Sequence, residues 1–223
     1  THFVVLDADE AFTSNLLDGD ELRSQILQLA PGESIALHWI QLWKSTRYWR
    51  TDRLYSAGGE LRGMLGSMSM PCIFADDGVS RYEGGMIHTR RMPEAFASKG
   101  LLLADIDVGL LHFQFVDWPN FLVKQGWYKC LERIRTPDKP VSEINILYSG
   151  SLDTVGERAA PVHPAWLERY LPFFHPVDHT GVDAWRVSMM TEWVDTYGHA
   201  YFSPVRALEM LMPFHALLPP TLP

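Results

Sequence analysis

Short apolar runs and alternation dominate the chain up to residue 118, and helical spacing dominates after it. The run Phe3-Val4-Val5-Leu6 predicts a strand buried on both faces, as in a parallel sheet, leading into Asp7-Ala8-Asp9-Glu10. A helix is expected over about 20–30, with Leu22, Ile26 and Leu29 as its apolar stripe, Asp18 or Asp20 as cap and Pro31-Gly32 as stop. Residues 34–43 alternate as a strand, with Ile35, Leu37 and Trp39 on one side and His38 on the other. The polar, aromatic and Gly-rich stretch 44–60 reads as a loop suited to binding. A short strand over 71–78 ends in Asp76-Asp77-Gly78, and another within 84–94 leads into a basic turn. In 109–118, Leu111, Phe113 and Phe115 share one face, and Leu110, His112 and Gln114 share the other.

Asp117 and Pro119 then open a helix that runs to about 134, with Gly126 in its interior. That glycine costs roughly 1 kcal/mol relative to alanine, so close packing or a ligand is expected there. Further helices are predicted near 141–148, 164–171, 181–197 and 204–212. In the third of these Val182, Trp185, Met189, Trp193 and Tyr197 form a helical stripe that reads as core, and Gly198 suits the position past its end. The tail 216–223 reads as loose.

Composition narrows the classes. At 223 residues the chain can hold one sizeable core or two small domains, and its net charge of −8 with no basic block argues against nucleic acid as the main partner. Cys72 and Cys130 stand alone, with no metal or redox spacing, which fits a reducing compartment. No apolar run reaches membrane-spanning length. A chain that opens inside a buried strand, without an initiator Met, leads us to expect further sequence upstream.

The candidate chemistry begins at Asp7 and Asp9. On one strand face their carboxylates would lie about 7 Å apart and repel by roughly 2–3 kcal/mol. A hard divalent cation removes that penalty, and strand ends are where α/β sheets bind ligands. The plainer alternative is a strand running into a solvated acidic turn. For Asp76 and Asp77, at the end of the later strand, the plainer reading is an ordinary Asp-Asp-Gly turn.

With these landmarks placed, the chain resembles the metal-dependent, family 2-type nucleotide-sugar glycosyltransferases of the GT-A fold. The resemblance rests on VVLDADEAF, on PCIFADDG with RYEGGMIHTRRMP, and on LLHFQFVDWPNFLVKQGWYKCLE, together spanning roughly residues 3–134. It implies an α/β fold with a partial GT-A, Rossmann-like mixed sheet and a helical C-terminal region. The metal and acceptor side would occupy 1–135, with a helical extension over 136–223, and most of the nucleoside-binding half would be missing. It also implies sugar transfer, by inversion, from a nucleotide-sugar donor to a glycan or lipid-linked acceptor, using Mn²⁺ or Mg²⁺.

Carried onto this sequence, the metal ligands would be Asp7, Asp9 and His112, with Glu10 beside them and Asp77 as general base. Asp76, His88, Arg90, Arg91 and Lys124 would contact phosphate or sugar, and Trp49, Trp118 or Trp127 would stack on a sugar face. For His112 the alternative is a core histidine; for the charged residues it is a solvated surface; for the tryptophans it is packing. A cytoplasmic location follows, with peripheral membrane association as an option. Two other functions remain open at this point: a haloacid-dehalogenase-like phosphohydrolase, and a non-catalytic glycan-binding module.

Overall fold

A computed structural model describes residues 1–51, 53–55, 61–64, 68–82, 91–96, 100–103, 107–149, 152, 158–173 and 183–210. The elements in chain order begin with β1 (His2–Val4), β2 (Glu10–Phe12), α1 (Glu21–Gln28), β3 (Ser34–Gln41) and β4 (Tyr48–Arg50). β5 (Arg53–Tyr55), β6 (Leu61–Met64), β7 (Met68–Ala75), β8 (Gly100–Leu103) and β9 (Leu110–His112) follow. The remainder comprises α2 (Trp118–Arg135), α3 (Val141–Ser149), β10 (Ala159–Pro161), α4 (Pro164–Leu167), α5 (Ala184–Tyr197) and α6 (His199–Phe202). The protein is therefore a mixed α/β chain. Its main sheet runs β1-β7-β3-β9-β2, with β8 also paired to β3.

β3 is the centre of this sheet because both of its faces are apolar. Ile35, Leu37 and Ile40 are fully buried. β7 lies antiparallel to β3, whereas β8 and β9 lie parallel to it. Leu22 from α1 joins Ile35, Leu37, Cys72, Ile73 and Leu110 in one core, with Ile26 and Leu29 packed against it. The helix over 20–30 thus forms with the stripe expected of it, in a slightly shorter span. The β3–β7 register shifts between Ile35 and Ala36, which pair with Ile73 and Pro71. Pro71 has no N–H to give the ladder, so a bulge is where a strand tolerates it.

The first strand differs from expectation. β1 is the outer strand of the sheet, antiparallel to β7, with Phe3 43% and Val4 47% exposed. An apolar run signals a strand without saying where in the sheet it sits, and here the eight-residue β3 takes the centre. β9 is also shorter than the alternation over 109–118 suggested. It ends at His112; the Phe113 N–H still bonds the Asp9 carbonyl opposite it at 2.8 Å, and a turn follows.

The chain divides into two compact units. One takes residues 1–52, 63–114 and 158–174, and the other takes 53–62, 115–157 and 175–223. The division falls ahead of α2, not after it at residue 135, and a later segment returns to the first unit. There β10 pairs antiparallel with β4, the Trp166 ring meets Trp49 at 5.4 Å, and the Tyr170 hydroxyl donates to the Phe12 carbonyl at 2.7 Å. The helix expected over 164–171 stops at Leu167 and gives way to a 3₁₀ turn, Leu171–Phe173, that contains Pro172.

In the second unit α2, α3, α5 and α6 enclose Val123, Cys130, Ile144, Tyr148, Val187, Met190 and Phe202. Asp117 caps α2 by accepting from the Asn120 N–H, with proline at its start. Gly126 is explained by packing: a Cβ there would lie 2.9 Å from the Ala207 carbonyl oxygen. α5 buries Val187 and Met190, one turn face over from the predicted stripe, and leaves Trp185 51% exposed. Val182 and the tail from 211 lie outside the described residues. Over the described residues 204–210 no α-helix forms; instead a 3₁₀ turn, Ser203–Val205, ends at Arg206 in the left-handed region, φ 53°, and a second 3₁₀ turn follows over 208–210. Among the described residues no helix is long and apolar enough to cross a membrane.

Candidate functional site

The acidic motif lies in a turn between β1 and β2, and not on one strand face. The Glu10 N–H donates to the Asp7 carbonyl at 3.1 Å, and the Asp7 N–H donates to Glu10 Oε2 at 3.0 Å. These two bonds close the four residues on themselves. Turn residues of this type suit aspartate, whose short side chain tolerates and supports tight backbone.

Glu10 is the interior residue of the motif. Its side chain is wholly buried and pairs with Arg91 Nη2 at 2.5 Å, while Trp39 Nε1 donates to the same Oε1 at 2.8 Å. Arg91 Nη2 also reaches Asp7 Oδ2 at 2.8 Å. Burial works against the Arg91 charge, but Glu10 and then Asp7 outweigh it and hold the guanidinium above its ordinary value. The site residue that matters most on the cationic side is therefore Arg91. Its Nη1 is buried with no hydrogen-bond partner.

β2 pairs with β9 so that Glu10 lies opposite His112. That register brings Asp9 Oδ2 to 3.7 Å from His112 Nε2. On the other side of the ring, His112 Nδ1 is 2.6 Å from Gln41 Oε1, and Trp39 stacks on the imidazole with centroids 4.5 Å apart. An amide oxygen only accepts, so Nδ1 carries the proton and donates. In the neutral ring the lone pair then falls on Nε2, the nitrogen that faces Asp9. Gln41 and His112 are register partners in the β3–β9 ladder, which is why this contact forms. Gly109 permits that ladder, since a Cβ there would lie 2.4 Å from the His38 carbonyl oxygen.

The remaining predicted residues fall elsewhere. Asp77 Oδ1 accepts from the Val79 and Ser80 N–H groups at 2.9 and 2.8 Å, and Oδ2 accepts from the Ser80 hydroxyl at 2.7 Å. These bonds hold its carboxyl below the usual range. A carboxylate held this way stabilises a turn and is a weaker base than a free one. Asp76 caps the same turn through the Gly78 N–H at 3.0 Å.

Trp127, in the second unit, packs among Tyr128, Trp185 and Trp193. Trp49 is buried against His38 and Trp166. Lys124 is half-buried on α2, and Trp118, on the same helix, packs on Phe121. His88 and Arg90 lie outside the described residues. Trp39, Gln41 and the anchoring role of Glu10 were not foreseen. Trp39 and Gln41 do share one face by alternation, but nothing local says that His112 meets them.

Asp9 and His112 offer one carboxylate oxygen and one imidazole nitrogen, donors suited to Mn²⁺ or Mg²⁺ when phosphate and water complete the sphere. Among the described residues no three His, Cys, Asp or Glu side chains converge as a metal cluster, and Asp7 is engaged by Arg91. The protein's residues thus fit a two-ligand site. The chain matches no family model, and neither a curated protein nor a solved structure is significantly similar to it.

Proposed function

We propose that this protein belongs to the nucleotide-sugar glycosyltransferases of GT-A type and carries their metal and diphosphate site on the turn 7–10 and the strand holding His112. One observation carries the reading. Asp9 and His112, remote in sequence, lie 3.7 Å apart with the second imidazole nitrogen tied to Gln41. A histidine whose far nitrogen is held by an outer partner is the usual arrangement of a metal-ligating imidazole.

Asp9 and His112 would hold the divalent cation, which when bound supplies Lewis-acid neutralisation of charge on the departing diphosphate. Arg91 lies beside them with a buried Nη1 suited to a phosphate oxygen, while its Nη2 keeps Glu10 in place. Asp7 takes part only if its pair with Arg91 opens. Trp39 orients the His112 ring from one face and Gln41 fixes its tautomer. The acceptor base is left unassigned, because the hydrogen bonds of Asp77 commit it to its own turn. The reaction class is transfer of a glycosyl group from a nucleoside diphosphate to an acceptor hydroxyl.

The test is calorimetric binding of UDP and GDP to the chain with and without Mn²⁺. Affinity for one of them should depend on Mn²⁺. Asp9→Asn and His112→Ala should each remove that dependence, and Gln41→Leu should weaken it by about 10–100-fold. Mn²⁺-independent binding, or full Mn²⁺ dependence in Asp9→Asn, would sink the proposal. Hydrolysis of p-nitrophenyl phosphate in place of nucleotide binding would point to the phosphohydrolase.

A further inference from the structure

The second compact unit contains a cavity that the proposed transfer does not use. Its volume is about 420 Å³, within the roughly 300–1,000 Å³ typical of small-molecule sites. Its lining includes the apolar Trp118, Leu122 and Met210 and the charged Lys129, Arg206 and Glu209, the last three close enough for Arg206 and Glu209 to act on the Lys129 ammonium.

Lys129 is an unusual residue to find there, because it is only 1% exposed. Its Nζ donates to Asn145 Oδ1 at 2.9 Å, and Asn145 is anchored in turn by donating to the Pro204 carbonyl at 3.2 Å. An amide oxygen satisfies one of three ammonium protons and carries no charge. The nearby carboxylate, Glu209, is already engaged by Arg206, whose Nε and Nη2 lie 2.7 and 2.6 Å from it.

With both cations ionised, Lys129 and Arg206 together exceed Glu209 by one positive charge. A buried charge without a counter-charge is costly. The cost is visible in Lys129 itself: burial, and then the Arg206 charge, push its ammonium down to about 8 against the pull of Glu209. The other titratable group beside it, the Cys130 thiol, is pushed up to about 12 by burial and stays neutral.

We propose that this cavity binds a small amphipathic monocarboxylate, its carboxylate accepting from Lys129 and facing Arg206 while its apolar body lies against Trp118, Leu122 and Met210. One ligand charge matches the one left over among the three charged side chains. A phosphate dianion would bring excess negative charge against Glu209. A neutral molecule of the same shape would gain the apolar contacts alone. The residues involved are separate from the Asp9 and His112 pair, so the two proposals stand or fall independently.

The test is calorimetric titration of the full chain with octanoate and with 1-octanol, its neutral counterpart, at pH 7. Octanoate should bind about tenfold tighter or more, the worth of a charge-assisted hydrogen bond. Lys129→Met, close in shape and apolar, should erase that preference and keep octanol binding. Arg206→Gln, at an exposed side chain, should reduce it by a smaller factor and serves if Lys129→Met fails to fold. Raising the pH to 9.5 should weaken octanoate binding in the native protein as Lys129 loses its proton. Equal affinity for octanoate and octanol, absence of saturable octanoate binding, or unchanged preference in Lys129→Met or Arg206→Gln would each overturn the proposal. Displacement of octanoate by inorganic phosphate as readily as by hexanoate would overturn the carboxylate assignment.

Discussion

Replacing Glu10 by Ala removes the anchor on which the turn 7–10 is built. Three donors converge on its wholly buried carboxylate: Arg91 Nη2 at 2.5 Å, Trp39 Nε1 at 2.8 Å and the Asp7 N–H at 3.0 Å. Glu10→Ala leaves the Arg91 side chain, 9% exposed, with Asp7 as its remaining carboxylate, and Asp7 is 60% exposed and better screened. Breaking a buried ion pair from one side costs about 3–5 kcal/mol. With Asp7 still in contact, the lower end applies, about 3 kcal/mol. Removing both charges should cost less, because no unpaired ion is then left inside. The double variant Glu10→Leu with Arg91→Met should therefore exceed Glu10→Ala in stability by about 2 kcal/mol. Urea unfolding followed by tryptophan fluorescence, extrapolated linearly to water, reads both values. A Glu10→Ala loss below about 0.5 kcal/mol, the range of ordinary surface changes, would refute the argument. So would a double variant less stable than the single one.

Gly109→Ala should destabilise the first unit by about 2–3 kcal/mol or more, the cost of overpacking, since its Cβ would meet the His38 carbonyl oxygen at 2.4 Å; the denaturation midpoint reads it. The Cys72 and Cys130 thiols are buried and both pushed up to about 12 by that burial. Ellman's reagent at pH 8 should find neither in the folded protein and both after unfolding, and rapid native labelling would contradict their burial. The Asp77 carboxyl is held below its ordinary value by hydrogen bonds from Ser80 and Val79. A depressed folded value means stability that is present above the unfolded value of 3.8 and lost as pH falls through the folded one. Wild type should accordingly melt above Asp77→Ala at neutral pH, and the gap should narrow only as the pH falls below 3.8; a gap independent of pH would show that ionisation plays no part.

Local signals read well where an element carries its own punctuation. Asp117 and Pro119 marked the start of α2, and the Asp117 cap forms as that chemistry requires. The Asp76-Asp77-Gly78 turn forms with both carboxylates on backbone N–H groups, and Gly126 sits where another segment presses close. Over the described part of the helix expected at 204–212, residues 204–210, the chain forms 3₁₀ turns, because proline at 204 is as compatible with a 3₁₀ turn as with a helix start. In α5 the apolar residues are numerous enough to offer two adjacent stripes. Packing against α2 buried Val187 and Met190, and left Trp185 half-exposed at the edge with its ring against Trp127.

By itself the sequence determined the α/β character, the existence of strand β3 though not its central place, the capped helix α2 and the choice of Asp7, Asp9 and His112 as candidate chemistry. These follow from period, capping and residue type, which act over a few neighbouring residues. Only the tertiary structure decided that β1 lies at the sheet edge, that the acidic motif is a turn anchored by Glu10 and Arg91, and that Asp9 meets His112. Each of those depends on which strand pairs with which, and in what register. A strand presents the same hydrogen-bonding groups to any partner, so the choice is made by long-range packing: the buried faces of β3, and the bare backbone of Gly109 against the His38 carbonyl.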